Sequence, residues 1–243
     1  MKLQNTGKTL RIRAVEPVDA EWLAATWANQ EFVALYCSNI TPAPAAVLYQ
    51  SLVDRQQTPV ATLGYIEFIV ERLSGERIGV GSLGNYAALH RRAELMIGIV
   101  DPALRHGMAA LEATLLLLDL AFNNYQLNKI FTYVYGYNEY SQANTLRLGF
   151  VQEGKLRQHH WLAEEQRFVD LYINGMTSDD FRAAVQLARW SRRLLGRDIT
   201  QTPQITQCQN ENLLPLDHAV QEQLKRLLTP GPLDEGTLRP GAV

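Results

Sequence analysis

The stretch Arg91-Arg92-Ala93-Glu94-Leu95-Met96-Ile97-Gly98-Ile99-Val100-Asp101-Pro102, together with the helix and strand after it, decides the fold. Apolar residues dominate from Arg92 to Val100 and Pro102 stops the run, so the segment reads as a strand. Beyond Arg105-His106-Gly107 comes a long apolar helix, from about Met108 to Asn124, whose polar residues Glu112, Asp119 and Asn123 recur at helical spacing. Leu115 to Leu118 and Leu120 fill most of the remaining circumference, so this helix should pack on more than one side. Lys129 to Tyr135 is rich in β-branched and aromatic residues and reads as the next strand. A strand, a helix and a strand in succession require a crossover, and the two strands should therefore be parallel.

Toward the N-terminus, Arg77 to Leu83 and Leu63 to Arg72 read as strands joined by the turn at Ser74-Gly75, and Asn85 to Leu89 reads as a further turn. Together with the strand at Arg92 they make an antiparallel meander. Leu10 to Val15 alternates apolar and basic residues, the pattern of a half-buried strand. Pro17 breaks it, and Asp19 is placed to cap a helix reaching about Asn29, with Trp22, Leu23 and Trp27 on its apolar side. Ser38 to Pro59, with its three prolines, reads as a loop around a short helix near Ala45 to Asp54. Toward the C-terminus, Tyr140 to Leu148 is a short helix closed by Gly149. Phe150 to Gln158 and Gln166 to Asn174 are the last strands, joined through Trp161 to Glu165. The fold class is thus α/β with a mixed sheet.

After Met176 the character changes. Asp180 to Leu195 reads as a basic amphipathic helix with Phe181, Val185, Ala188 and Leu195 on one side. Ile199 to Leu214 reads as a polar linker, Asp217 to Leu228 as a second short helix, and the Pro- and Gly-rich end as disordered. The expected division is one domain over residues 1–177 and a C-terminal extension over 178–243.

Composition narrows the function classes. A net charge of −2 leaves no basic footprint for nucleic acid. Cys37 and Cys208 support neither a disulfide framework nor a metal site. His159 and His160 are adjacent in a strand and should point to opposite faces, which argues against a shared metal. The N-terminus lacks the apolar core of a signal peptide, and no apolar run approaches the ~20 residues that span a bilayer. A cytoplasmic protein with no membrane partner is the expectation.

Further motifs stand in order: Leu127-Asn128-Lys129-Ile130, then Asn138-Glu139-Tyr140-Ser141, then Leu148-Gly149-Phe150-Val151-Gln152-Glu153-Gly154, then Phe168-Val169-Asp170-Leu171-Tyr172. With the strand at Arg92, Asp101-Pro102 and Ala121-Phe122, this ordered set resembles the GNAT superfamily of acyl-CoA-dependent N-acyltransferases. Within it, the set is most similar to the ribosomal-protein alanine N-acetyltransferase (Rim-type) branch. The resemblance spans Leu10 to Met176 and implies a GNAT-like fold that moves an acyl group from acetyl-CoA, or another acyl-CoA, to an amine without a metal.

Acyl transfer from a thioester needs a grip on the cofactor, a polarised carbonyl, a base for the ammonium and a proton for the thiolate. The N-terminus of the long helix suits the diphosphate, because its free N–H groups and dipole attract anions. By resemblance, Ile99, Val100, Arg105, His106, Gly107, Met108, Ala109 and Ala110 form that grip, although Met108 and Ala110 stand where the family has glycine. Glu94, set between Ala93 and Leu95 and pointing away from the face of Leu95 and Ile97, is the candidate base. The resemblance implies that Asn138 bonds the pantetheine and that Ser141 donates to the sulfur, since Thr145 replaces the tyrosine many relatives use. Asn138 and Ser141 are equally good helix caps. Tyr133, Arg157, His159 and Trp161 are the acceptor-binding candidates.

The acceptor is an amine of a peptide, protein or small molecule. Three alternatives stay open. One is transfer of a fatty-acyl group, from CoA or a carrier protein, to a peptide in natural-product maturation. Another is a non-catalytic acyl-CoA sensor. The third is an assembly role for the tail, including a homodimer contact through the basic helix at Arg189, Arg192 and Arg193.

Overall fold

The computed structural model describes residues 4–36, 40–105, 107–162 and 165–202. Cys37, Cys208 and His106 lie outside these residues, as do most of the expected linker, the helix Asp217–Leu228 and the Pro- and Gly-rich end. The chain runs β1 (Gln4–Thr6), β2 (Leu10–Ala14), a 3-10 turn (Pro17–Asp19), α1 (Ala20–Ala28), α2 (Gln30–Tyr36), α3 (Ala45–Gln56) and α4 (Val60–Leu63). Then come β3 (Ile66–Arg72), β4 (Arg77–Ala87), β5 (Arg92–Ile99), α5 (Pro102–Arg105), α6 (Met108–Asp119) and a π-helical turn (Leu120–Asn124). The last elements are β6 (Lys129–Tyr135), α7 (Glu139–Arg147), β7 (Val151–Leu162), β8 (Arg167–Thr177), α8 (Ser178–Ala183) and α9 (Val185–Leu194).

The strands form one sheet in the order β1-β2-β3-β4-β5-β6-β8-β7. Every neighbour pair is antiparallel except β5 and β6, the pair separated by the α6 crossover. Both faces are covered at β3 and β4, which is why Phe68, Ile69 and Val70 are all fully buried although alternate residues of a strand face opposite ways, whereas β7 at the edge is largely exposed. Phe68 and Val70 join the core under α6, whereas Ile69 and Val80 pack with Leu23, Trp27, Phe32 and Leu52 of α1 to α3.

Several local readings are corrected by long-range contacts. Asp19 does not cap α1 with its side chain. Its fully buried carboxylate instead accepts from Arg13 at 2.7 and 2.8 Å, from Arg77 at 2.8 Å and from the Glu16 N–H at 2.9 Å. The turn expected over residues 85–89 falls later, at residues 88–91: β4 runs on to Ala87, and Asn85 sits instead at a bulge, in the left-handed region at φ 45° with the register shifting between Gly84 and Ala87. Trp161 belongs to β7 rather than to the connection after it.

The reading of one helix over Asp180–Leu195 gives way to two. Thr177 and Asp180 cap α8 reciprocally, and Ala184, with ψ 89°, breaks the chain before α9. Val185 is consequently 79% exposed and not on the packed side, which Phe181, Leu187, Ala188 and Leu195 form. These residues belong to the same compact body as the sheet. Phe181 stacks on Phe122 at 4.4 Å, and Arg197 donates to the Thr6 carbonyl, to Asn5 and to Asp119 at 2.6 to 3.0 Å. Asn123, in the π-helical turn, donates to the Ile199 carbonyl at 2.8 Å. The polar stripe of α6 is therefore covered by residues 5–10 and 197–199 rather than facing water. Glu112 accepts from the Thr9 N–H at 2.8 Å, the Thr9 hydroxyl at 2.6 Å and the Leu10 N–H at 3.1 Å.

Candidate active site

The parallel ladder between β5 and β6 is only three residues long: Arg92 opposite Lys129, Ala93 opposite Ile130 and Glu94 opposite Phe131. Past that point β5 stays with β4 as far as Ile99, and β6 stays with β8 as far as Tyr135. Each strand keeps its outer neighbour and parts from its inner one, so a wedge opens with Glu94 at its fork. The backbone groups along the two inner edges have lost their mutual partners there, and such groups need others.

A cleft of about 400 Å³ lies at this wedge. Glu94 and Met96 of β5 line it, with Tyr133, Val134 and Tyr135 of β6 and Asn138 and Ser141 at the start of α7. Leu35 and Tyr36 of α2, His159 and His160 of β7 and Leu171 of β8 complete the wall. Glu94 and Met96 are two apart on one strand, so pleating sends both to the same face.

Glu94 is half-buried and accepts one hydrogen bond, from Asn85 Nδ2 at 2.7 Å. Burial pushes its carboxyl above the ordinary carboxylate range, and the Asn85 bond offsets part of that rise. The bulge that turns Asn85 toward Glu94 is thus part of the site. Asn138 caps α7, its Oδ1 accepting from the Ser141 N–H at 3.0 Å, and both residues also line the cleft. Gln142 and Asn174 exchange two side-chain hydrogen bonds of 2.9 Å, which dock α7 on β8. Gly149, at φ 99°, closes the helix. Thr145 is buried, its carbonyl accepting from the Phe150 N–H at 3.3 Å, and it takes no part in the lining.

His159 and His160 both line the cleft, contrary to the expectation that neighbours in a strand face opposite ways. The cause is a second irregularity: the β7 register shifts between Leu156 and His160, and Gln158 has φ 50°. His160 packs on Tyr135 at 4.7 Å between ring centres. Partial burial, with the neighbouring His159, lowers its pKa, which favours the neutral imidazole at neutral pH.

Gly107 stands at the N-cap of α6, so no side chain caps the helix and its first N–H groups keep the disposition that receives anions. Met108 is 45% exposed. Arg105 is differently employed: it donates to the Ile99 carbonyl at 3.0 Å and the Val100 carbonyl at 2.8 Å and pairs with Glu31 of α2. It ties the end of β5 to α2.

A family model described as an acetyltransferase (GNAT) domain matches residues 9–151. The chain belongs to the GNAT acetyltransferase family. A Bacillus subtilis (strain 168) protein named "Putative ribosomal N-acetyltransferase YdaF" is 29% identical over 174 residues, covering 70% of this chain and 87% of that protein. Among solved structures, one titled as a probable acetyltransferase is 26% identical with a TM-score of 0.61, covering 73% of this chain and 98% of its own. The spermidine N-acetyltransferase of Vibrio cholerae, solved in complex with CoA and spermine, is 23% identical with a TM-score of 0.61 and covers 70% of this chain and 96% of its own; at that identity the likeness is one of fold. This GNAT chain is an acyl-CoA-dependent N-acyltransferase, and no helix among its described residues is long and apolar enough to cross a membrane.

Of the site residues expected from sequence, the GNAT fold brings Glu94, Tyr133, Asn138, Ser141 and His159 to one cleft. Ile99, Val100, Arg105, Gly107, Met108, Ala109, Ala110, Arg157 and Trp161 do not line it, and Trp161 packs instead against Phe168, tilted, at 4.8 Å between ring centres. Sequence reasoning missed Asn85, Met96 and the Leu35–Tyr36 wall. Met96 was within reach, since it shares the parity of Glu94. Asn85 was not, because a left-handed residue at a bulge carries the same signature as a turn.

Proposed function

We propose that this chain transfers an acetyl group from acetyl-CoA to a primary amine of a peptide, protein or small molecule, by direct attack on the thioester. The observation that carries the reading is Glu94 itself: a half-buried carboxylate with a raised pKa at the fork of the β5–β6 wedge, in one cleft with Ser141 and Asn138. The amine nitrogen attacks the thioester carbon, forming the C–N bond. Glu94 takes the proton the nitrogen sheds, directly or through one water. The inner edge of β5 offers backbone N–H donors to the carbonyl as it gains negative charge. The C–S bond then breaks, and the Ser141 hydroxyl donates to the departing thiolate.

The uncapped start of α6, with Gly107 at the N-cap, supports diphosphate binding there, with the adenosine end of the donor beyond it. In this reading Arg105 acts through β5 and α2 rather than on phosphate. The names of the relatives support an amine acceptor: a ribosomal N-acetyltransferase in one case, a spermidine N-acetyltransferase in another.

The test measures thermal stability with free CoA and with acyl-CoA donors from acetyl to palmitoyl, then thiol release with amines. A donor present at 100 times its dissociation constant should stabilise the folded chain by about 2.7 kcal/mol. Stabilisation greatest with acetyl-CoA, and amine-dependent thiol release lost in Glu94→Gln, are the expected results. A maximum at long chains would replace acetyl by fatty-acyl transfer. Stabilisation without turnover on any amine would leave a sensor.

A further inference from the structure

The charge and shape of the cleft bear on the acceptor. Among the described residues Glu94 is the one carboxylate in the lining. Of the carboxylates outside the lining, Asp170 pairs with Lys155 at 2.6 Å, Glu165 with Arg167 at 2.6 Å and Glu31 with Arg105, while Glu139, next to Asn138, is exposed and stands outside the lining. The remaining titratable groups in the wall are His159, His160 and three tyrosines, none of which is an anion at neutral pH. An acceptor with one ammonium finds one carboxylate. A second ammonium along the same chain would meet imidazole and phenol rings and lose water without gaining a counter-charge.

The rest of the wall is apolar or aromatic. Tyr36 closes the side made by α2, its hydroxyl held by Ser82 at 3.2 Å. It ends a stack of rings with Trp27 and Phe32, at 5.7 and 5.4 Å. Opposite, Tyr135 lies between Tyr137, parallel at 5.4 Å, and His160. Tyr133 is 39% exposed, a large ring surface left open beside the catalytic carboxylate. Flat, rigid rings of this kind are the usual partners of another ring or a bulky apolar group.

We infer that the acceptor is a primary amine with a single positive charge on an aromatic or bulky apolar body, its ammonium at Glu94 and its body between the rings of Tyr36, Tyr133 and Tyr135. The inference rests on the acetyl-transfer reading of the same cleft. The shared chemistry has two sources, a small arylalkylamine or the α-amine of a peptide that begins with an aromatic residue.

The experiment compares kcat/KM for acetylation of matched acceptors by the full chain. 1-Aminopentane against 1,5-diaminopentane, compared per amine, adds a second ammonium at the far end, and 2-phenylethylamine against ethylamine adds the aromatic body. Spermidine and a tripeptide amide beginning with phenylalanine complete the panel, and the last separates peptide from small-molecule sources. A preference of about 10- to 200-fold is expected for the monoamine and for the aromatic body. His159→Glu, at an exposed position, should raise the diamine-to-monoamine ratio about 10-fold, and Tyr133→Ala should lower the aromatic-to-aliphatic ratio by a similar factor. Equal or better use of 1,5-diaminopentane or spermidine overturns the inference, as does transfer to none of these amines while acetyl-CoA still stabilises the chain; in both cases donor binding stands. No stabilisation by acetyl-CoA and no thiol release would instead remove the acetyl-transfer reading, and the inference with it.

Discussion

Glu112 and Glu94 are both glutamates drawn toward the interior of the same fold, one from a helix and one from a strand, and they differ in what meets them there. Glu112, in α6, is 2% exposed and accepts three hydrogen bonds from Thr9 and Leu10, so its charge is fully answered by the start of β2. Glu94, at the fork of β5 and β6, accepts one bond, from Asn85, and burial raises its pKa. A carboxylate met by three donors holds the fold, whereas one left short of partners in a cleft is free to take a proton. Depth of burial alone would have ranked the two the wrong way round for chemistry.

The largest expected effect breaks the comparison at Glu94. Glu94→Gln should lower kcat about 10²- to 10⁴-fold, the usual contribution of a positioned base. It should not lower stability. A carboxyl whose folded pKa lies above its unfolded value contributes its full stability below the unfolded pKa and loses it as pH rises through the folded one. At a pH above its folded pKa the ionised Glu94 is therefore a cost, and the amide variant should melt there at or above the wild-type temperature. Glu112→Ala is the mirror case. It strands the buried Leu10 N–H and removes the part-buried bonds of the Thr9 N–H and hydroxyl, and should cost about 1 to 3 kcal/mol in chemical denaturation, with the activity per folded molecule retained.

Gly98 tests how the α2 wall is held. A Cβ there would meet the Phe32 and Tyr36 rings at 2.7 Å, so Gly98→Ala should displace α2. A loss of about 1 to 3 kcal/mol is expected, with a rise in the acceptor KM because Tyr36 lines the cleft. Unchanged stability and KM would mean that α2 shifts without consequence. The smallest effect sharpens the Glu94 side. Asn85→Ala removes the one bond that holds the carboxyl down, so the acid limb of the kcat/KM profile should move to higher pH. A limb that stays in place would detach Glu94 from the proton transfer.

Much of this was legible in sequence. The meander, the crossover and the parallel β5–β6 pair came from periodicity and from the turn at Ser74-Gly75, because alternation and helix length are local properties. The fold class and the family came from the order of motifs between Arg92 and Tyr172. What failed was also local reading, applied where distant chain takes over. Asn85 and Gln158 were ordinary polar residues until the bulges put them at positive φ, and the second bulge brought His159 and His160 to one wall. Asp19 looked like a cap because nothing nearby announces Arg77, and Glu112 and Asp119 looked like one stripe because nothing in α6 announces Thr9 or Arg197.

The sequence by itself determined the strands and helices, their crossover, and a carboxylate on the face of β5 opposite Leu95, since each of these depends on spacing within a few residues. Only the tertiary structure decided which carboxylate was left short of partners, where β5 and β6 part, and which rings close the cleft. Those outcomes depend on groups between nine and more than a hundred residues apart meeting in space, and no local pattern records that meeting.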